Sequence, residues 1–391
     1  MTTAPEYPQA RTCPYQPSPG YDQLREGPPL KRVTLYNGNT AWAVTGHAEA
    51  RQLLADPRVS SERQRDGFPI TSDRFEAFRQ QPPTFITMDD PEHNRIRRML
   101  ISEFTVRRFK ELKPRIQEAI DHAIDDLLAA GPPADLVTHF SLPIPSMVIC
   151  HMLGVPYADH DFFQQRSRAL LQGAADEVGP AREELMDYLD KLAEDPPSGL
   201  IARLKEDQVA TGNLTQRALA QNALILLVAG HETTASVLSL AVITLLDHPE
   251  QLALLRSDTS VMPAAVEELL RYLSIVDSGP ARIAKEDIEI GGVTISAGEG
   301  VLITSSIANR DPEAFPEPDT FDISRSARHH VAFGYGVHQC LGQNLARMEI
   351  ELALPALFER VPNIRLAVPV ADLELRPANT IQGVNTLPVT W

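Results

Sequence analysis

The stretch FGYGVHQCLGQNLAR, residues 333–347, sets Cys340 behind Gly334 and Gly336, two residues after His338 and two before Gly342. The sequence continuing from it, LGQNLARMEIELALPALFERV, has strong helical character, so Cys340 stands where a glycine-rich loop runs into a helix N-terminus. Only 3 cysteines occur in 391 residues, and the placement of this one asks for a reason.

Three readings compete. The thiol can be incidental to a loop whose glycines serve the backbone. The glycines can cradle a phosphate, but Gly334, Gly336 and Gly342 do not make G-x-G-x-x-G, and the lysine of a P-loop is missing. The thiolate can hold a metal. Zinc would need further cysteines or histidines at short spacing, and C-x-x-C is absent. A single thiolate suffices where a porphyrin provides the other ligands. Physics favours this last reading, because the helix dipole and free N–H groups stabilise a thiolate. Glycines also let the backbone approach a flat macrocycle and aim N–H groups at sulfur.

Working outward, the net charge of −16 and the pI near 5.1 argue against nucleic acid, which needs a basic footprint, and against adhesion to anionic membranes. With 43% hydrophobic and 23% charged residues, the composition is that of an ordinary globular chain with a large core. The N-terminus, MTTAPEYPQARTCPYQPSPG, has neither a basic n-region nor an apolar h-region, so the cytoplasm is the expected compartment. Cys13, Cys150 and Cys340 are too scattered for a disulfide framework, and Cys150 within IPSMVICHML reads as a small buried hydrophobe. NALILLVAGHETTASVLSLAVITLL, residues 222–246, is long and apolar enough to span a membrane, but Glu232 would lie near the bilayer centre. Its flanks lack a Lys/Arg bias, so a buried helix fits better and no membrane anchor is expected. The polar groups inside that helix then need a reason.

Residues 1–30 are proline-rich and irregular, a leader expected to pack on the single domain that spans 1–391. Val33–Val44 reads as a hairpin turning at Asn37-Gly38. Helices are expected over 47–56, over 91–130 and 157–206 with breaks, and over VMPAAVEELLRYL; residues 57–84 read as mostly loop. Residues 288–304 are β-rich, and the last strands end at TLPVTW. The outline is mainly α with a small β-rich part, an α+β fold with no βαβ alternation.

F-G-x-G-x-H-x-C-x-G, formed by Phe333, Gly334, Gly336, His338, Cys340 and Gly342, resembles the heme-binding loop of the cytochrome P450 monooxygenases, especially the soluble actinobacterial ones. Three further stretches resemble the family's in the same order. They are DDPEHNRIRRML at 89–100, AGHETT at 229–234, and Glu268-Leu269-Leu270-Arg271 as the E-x-x-R pair. The resemblance covers essentially the whole chain. It implies the cytochrome P450 fold, heme b (iron protoporphyrin IX) as cofactor and Cys340 as the iron ligand. Thiolate donation to the iron favours O–O cleavage.

The resemblance assigns the heme-binding residues further. His93 and Arg97, one helical turn apart, with Arg282 and His338, should bind the two propionates; His330 is a weaker candidate. Phe333 and Gly342 belong to the ligand loop. Glu268 and Arg271 should form a buried network, but the family's P-x-R-F segment is Pro318-Asp319-Thr320-Phe321 here, and Arg325 is the expected substitute. Glu232 and Thr233 are the implied catalytic pair, because breaking dioxygen consumes two protons. A local distortion beside Ala229-Gly230 would open a groove for dioxygen, although threonines in helices also bond back to carbonyls. Ile225, Val228 and Ala229 share roughly one helix face with Thr233 and should line the substrate pocket. Residues 60–86, a lid at 165–185, Leu273–Ser278 and Ile381–Val384 should complete it.

The expected reaction inserts one oxygen atom into an apolar or mixed small organic substrate, such as a secondary metabolite, terpenoid, steroid or xenobiotic. Electrons should come from a separate ferredoxin and reductase. The ferredoxin should dock on Arg95, Arg98, Arg107, Arg108 and Lys110, with Arg347 nearby. Direct use of peroxide, or an oxygen-independent rearrangement, is the alternative on the same fold. A non-catalytic heme carrier or sensor is the third.

Overall fold

The computed structural model describes residues 4–277, 279–376 and 381–391. The strands are short: β1 (Leu30–Thr34), β2 (Thr40–Val44), β3 (Val59–Ser60), β4 (Ala134–Asp135), β5 (Ala281–Ala284), β6 (Ile288–Ile290), β7 (Val293–Ile295), β8 (Gly300–Ile303), β9 (Arg365–Leu366) and β10 (Pro388–Thr390). The helices are α1 (Asp22–Arg25), α2 (His47–Ala55), α3 (Asp73–Arg79), α4 (Glu92–Ile101), α5 (Val106–Ala130), α6 (Pro143–Leu153) and α7 (His160–Gln172). They continue as α8 (Ala175–Leu192), α9 (Gly199–Leu204), α10 (Gln216–Asp247), α11 (Pro249–Ser257), α12 (Met262–Leu273), α13 (Ser305–Ala308) and α14 (Gln343–Arg360).

The expected hairpin begins earlier than Val33: β1 pairs with β2 from Leu30↔Val44 to Thr34↔Thr40, turning at Gly38 with φ 81°. β2 then pairs in parallel with β8, giving a five-stranded sheet of order β1-β2-β8-β5-β3. Residues 57–84, expected as mostly loop, contain α3, whose first turn is capped by Ser72 Oγ accepting the Phe75 N–H at 3.2 Å. That cap is a local signal, set among prolines and glycines that obscure it.

α10 runs for 32 residues, about 48 Å at 1.5 Å per residue. It starts before the apolar run, at a cap where Thr215 accepts the Ala218 N–H at 3.1 Å. Its most apolar window is 78% buried inside the fold. It packs against α6, α8, α12 and α14, so apolar residues cover its whole circumference. Four of its buried polar side chains bond back one turn: Asn222 to Ala218 O, His231 to Leu227 O, Ser239 to Ala235 O and Thr244 to Leu240 O, at 2.7–3.0 Å. The helix runs unbroken through Ala229-Gly230, so the expected distortion is not a break. Gly230 serves close packing, since a Cβ there would lie 2.9 Å from the Ile149 side chain of α6.

The leader lies against this body. Tyr7, Tyr21 and Leu24 are buried, and Arg11 donates to Leu273 O and Ser274 O, both at 2.9 Å.

Candidate active site

Two cavities meet where α10 faces the cysteine loop. One, of about 220 Å³, is lined by Thr233, Thr234 and Val237 of α10 and by Phe333, Gly334 and Cys340 of the loop. The other, of about 380 Å³, lies beside Ile225 and Val228. Thr233, Val276, Gly279, Pro280 and His338 line both, so the two spaces abut at these residues.

The cysteine loop is shaped by its glycines. Gly334 and Gly336 have φ of 68° and 72°, and a Cβ on Gly336 would lie 2.4 Å from Leu54 O of α2. The Cys340 N–H donates to Phe333 O at 2.9 Å and closes the loop. Cys340 is open to the cavity yet enclosed by protein, and this burial raises its thiol pKa. The Gly342 and Gln343 N–H groups, Arg97 and Arg347 act in the opposite direction and favour thiolate. Among the described residues no group of three or more His, Cys, Asp or Glu side chains could hold a metal ion by itself.

Nitrogen donors from two histidines and two arginines gather at one rim. The His93 and His338 rings stand 4.0 Å apart, and His93 Nε2 is buried without a partner. Burial, then Arg282 and His93, pushes His338 down to about 3. Burial pushes Arg282 down to about 10, and the hydrogen bond it makes runs to its neighbour Ala281 O at 2.8 Å. Arg97 donates to Gln339 O at 2.6 Å, beside the cysteine. Such underused donors around a flat space fit a macrocycle bearing two carboxylates, with the thiol beneath.

On the opposite wall the Thr233 hydroxyl donates to Ala229 O at 2.7 Å. Glu232 lines neither cavity. It is 1% exposed and faces Arg376 Nη1 at 3.4 Å, Gln172 Nε2 at 3.5 Å and His231 Nε2 at 3.7 Å. Arg376 also donates to Ser236 Oγ at 3.0 Å. Adjacent residues on a helix diverge by about 100°, so Glu232 and Thr233 address different surroundings. Of the three expected substrate residues, Ile225 and Val228 line the larger cavity. Ala229 is exposed within this otherwise buried stretch of α10, one turn before Thr233, and its carbonyl is the acceptor for the Thr233 hydroxyl. In the other expected segments, Arg63, Phe68, Phe75, Leu170, Leu171 and Ile381 reach the larger cavity, while Ser278 lies outside the described residues.

Beneath the site, Glu268 and Arg271 are fully buried and paired twice, at 2.7 and 2.8 Å. Arg325 reaches Glu268 at 3.2 Å. The Pro318-Asp319-Thr320 segment, lacking an arginine, supplies Pro318 O to Arg271 at 2.8 Å. A second network corrects two expectations. His330 bonds Glu267 at 3.1 Å instead of facing the cavity rim, and Arg347 is held by Glu267 at 2.8 Å and stacks over Phe333 at 4.7 Å. Arg347 is therefore a link between α14 and α12, not a free docking charge. Arg376 lies in no motif and in no expected segment; Arg63 and Arg182 fall inside the expected segments 60–86 and 165–185, where nothing in the sequence marks them individually.

The family model described as Cytochrome P450 matches residues 161–361. Vitamin D3 dihydroxylase of Streptomyces griseolus is 58% identical over 396 residues, covering 100% of this chain and 98% of that protein. Cytochrome P450 105A3 of Streptomyces carbophilus is 59% identical over 394 residues, covering 99% of this chain and 96% of that protein. The crystal structure of GfsF superposes with a TM-score of 0.94 at 45% identity, covering 99% of this chain and 100% of that one. A mainly helical fold of this kind, with a site suited to a porphyrin, defines a heme-iron oxidoreductase. The chain belongs to the cytochrome P450 family and is a monooxygenase of that family.

Proposed function

We propose that Cys340 binds the iron of heme b (iron protoporphyrin IX) and that the protein hydroxylates or epoxidises an apolar or mixed small organic substrate, using dioxygen and electrons from a separate ferredoxin. The single observation that carries this is Cys340, open to a cavity whose far wall is Thr233. When bound, the heme supplies oxygen activation and one-electron chemistry.

The chain's own residues do the rest. The N–H groups of Gly342 and Gln343 stabilise the thiolate, and the closed loop holds it in place. His93, Arg97, Arg282 and His338 take the two propionates, which would satisfy donors that are otherwise poorly used. Thr233 Oγ1 holds a proton at the cavity wall. Glu232, which Arg376 contacts at 3.4 Å on the adjoining face of the helix, supplies that proton on leaving the Arg376 contact. Ile225 and Val228 exclude water beside the reacting carbon. The whole chain, residues 1–391, acts as one catalytic domain in the cytoplasm. The relative named vitamin D3 dihydroxylase supports a secondary metabolite or xenobiotic of comparable apolar bulk as substrate.

Cys340→Ser tests the assignment. The reduced protein with carbon monoxide should lose the red-shifted thiolate band of the wild type. Survival of that band in Cys340→Ser would move the ligand to Cys13 or Cys150 and sink the reading.

A further inference from the structure

The larger cavity has an unusual charge balance. Three arginines line it, Arg63, Arg182 and Arg282, with no carboxylate among its lining residues, in a chain whose net charge is −16. Arg282 belongs to the rim that the propionates would occupy. Arg182, on α8, does not. It is 7% exposed, its Nη2 has no partner, and it makes no ion pair among the described residues. Arg217 in the first turn of α10 adds repulsion, while Glu183, the next residue, attracts it without pairing. Arg63 also lacks a carboxylate partner among the described residues and lies 4.9 Å over the Phe75 ring.

A buried guanidinium without a counter-charge is costly, and the fork geometry of arginine matches a carboxylate in two parallel hydrogen bonds. The walls between are apolar, formed by Leu170, Leu171, Leu224, Ile225 and Val228. Because Arg217 acts on Arg182, Arg182 stands toward the start of α10, whereas the reacting end lies at Thr233. From Leu224 to Thr233 the helix rises about 14 Å.

We propose that Arg182 binds a carboxylate at the remote end of this cavity, so that the substrate is an elongated apolar acid held by its carboxylate with its far end toward Thr233. This rests on the oxygenase reading for the chemistry at the Thr233 end, but the binding claim is separate from it. The acidic outer surface would not attract such an acid from afar. Selection is therefore made inside the cavity, where a desolvated pair is strong.

The test compares dodecanoate, methyl dodecanoate and dodecan-1-ol on the wild-type holoenzyme and on Arg182→Met, with binding read by calorimetry. A charge-assisted contact predicts that the wild type binds the acid about tenfold or more tightly than the ester or alcohol. Arg182→Met should erase that preference with ester affinity unchanged, and Arg182→Lys should restore part of it. Equal affinities in the wild type would overturn the proposal whatever the variants do. So would a preference for the acid that survives in Arg182→Met, which would pass the role to Arg63. The carbon monoxide band is recorded on the same samples. Its absence would count against the oxygenase reading, while the calorimetric preference still decides this one.

Discussion

Glu349 shows how one side chain can hold stability hostage to pH. It lies on α14 nine residues past Cys340, 2% exposed, with Oε2 unpartnered, and burial pushes its carboxyl up to about 8. The unfolded carboxyl titrates near 4.3, so the folded state binds the proton more tightly. Stability attached to this group is present below the unfolded value and is lost as pH rises toward 8. Glu349→Gln keeps the shape and removes the titration. Its thermal unfolding should move above that of the wild type by a margin that widens from pH 5 to 8, on the order of 1 kcal/mol per pH unit. A margin independent of pH would mean that Glu349 is ionised throughout. Glu267 is the opposite case: despite burial, His330 and Arg347 hold its carboxyl down to about 2, so its contribution survives to acid pH.

At the level of elements, α12 is locked to the loop before the cysteine by one carboxylate. Glu268 accepts from Arg271, from Arg325 and from the Asp322 N–H at 3.1 Å. Arg271 spends its remaining donors on Asn309 O and Pro318 O, both at 2.8 Å. Beyond the Glu268–Arg271 pair within α12, the partners lie on other segments, so the network sets the position of the loop as well as its own energy. Removing Arg325 leaves Glu268 one charged partner short. Arg325→Ala should cost about 1.5–3 kcal/mol and speed heme transfer to apomyoglobin. Arg271→Lys should cost more, since lysine cannot serve both directions of the fork. Unaltered unfolding and heme retention in Arg325→Ala would show that Arg271 and the Asp322 N–H suffice.

For the whole molecule, a charge of −16 would oppose the proposed ferredoxin if that partner is acidic, so such docking needs a local exception. The α4–α5 corner touches the ligand loop, since Phe104 lies 4.0 Å from where a Gly342 Cβ would be. Much of its positive charge is already paired: Arg95 with Glu92 at 2.8 Å, Arg107 with Glu111 at 3.2 Å and Arg108 with Glu111 at 2.9 Å. Arg98 and Lys110 are exposed and have no carboxylate partner among the described residues. Val106 and Val337 leave apolar surface exposed beside them in the same loop and corner, at 69% and 51%. Reversing Arg98 and Lys110 to Glu should slow reduction by ferredoxin about tenfold at low salt and leave substrate affinity unchanged. Wild-type reduction should also slow as salt shortens the Debye length below about 10 Å. Indifference to both changes would place docking elsewhere or make it apolar.

By itself the sequence determined the cysteine loop and the long core helix. Phe333 to Gly342 is contiguous, and its glycines, histidine and thiol state their chemistry at close spacing. α10 announces itself through its apolar length, although its start at Thr215 lies ahead of the apolar run. The Glu268–Arg271 pair was legible because one helical turn separates its members. Only the tertiary structure decided which charges are spent. Glu232 meets Arg376 from the far end of the chain, Arg347 is taken by Glu267, and Arg182 is left without a counter-ion inside a cavity. Backbone preferences and motif chemistry act over a few residues, whereas the partner of a buried charge is set by whichever distant elements the packing brings against it.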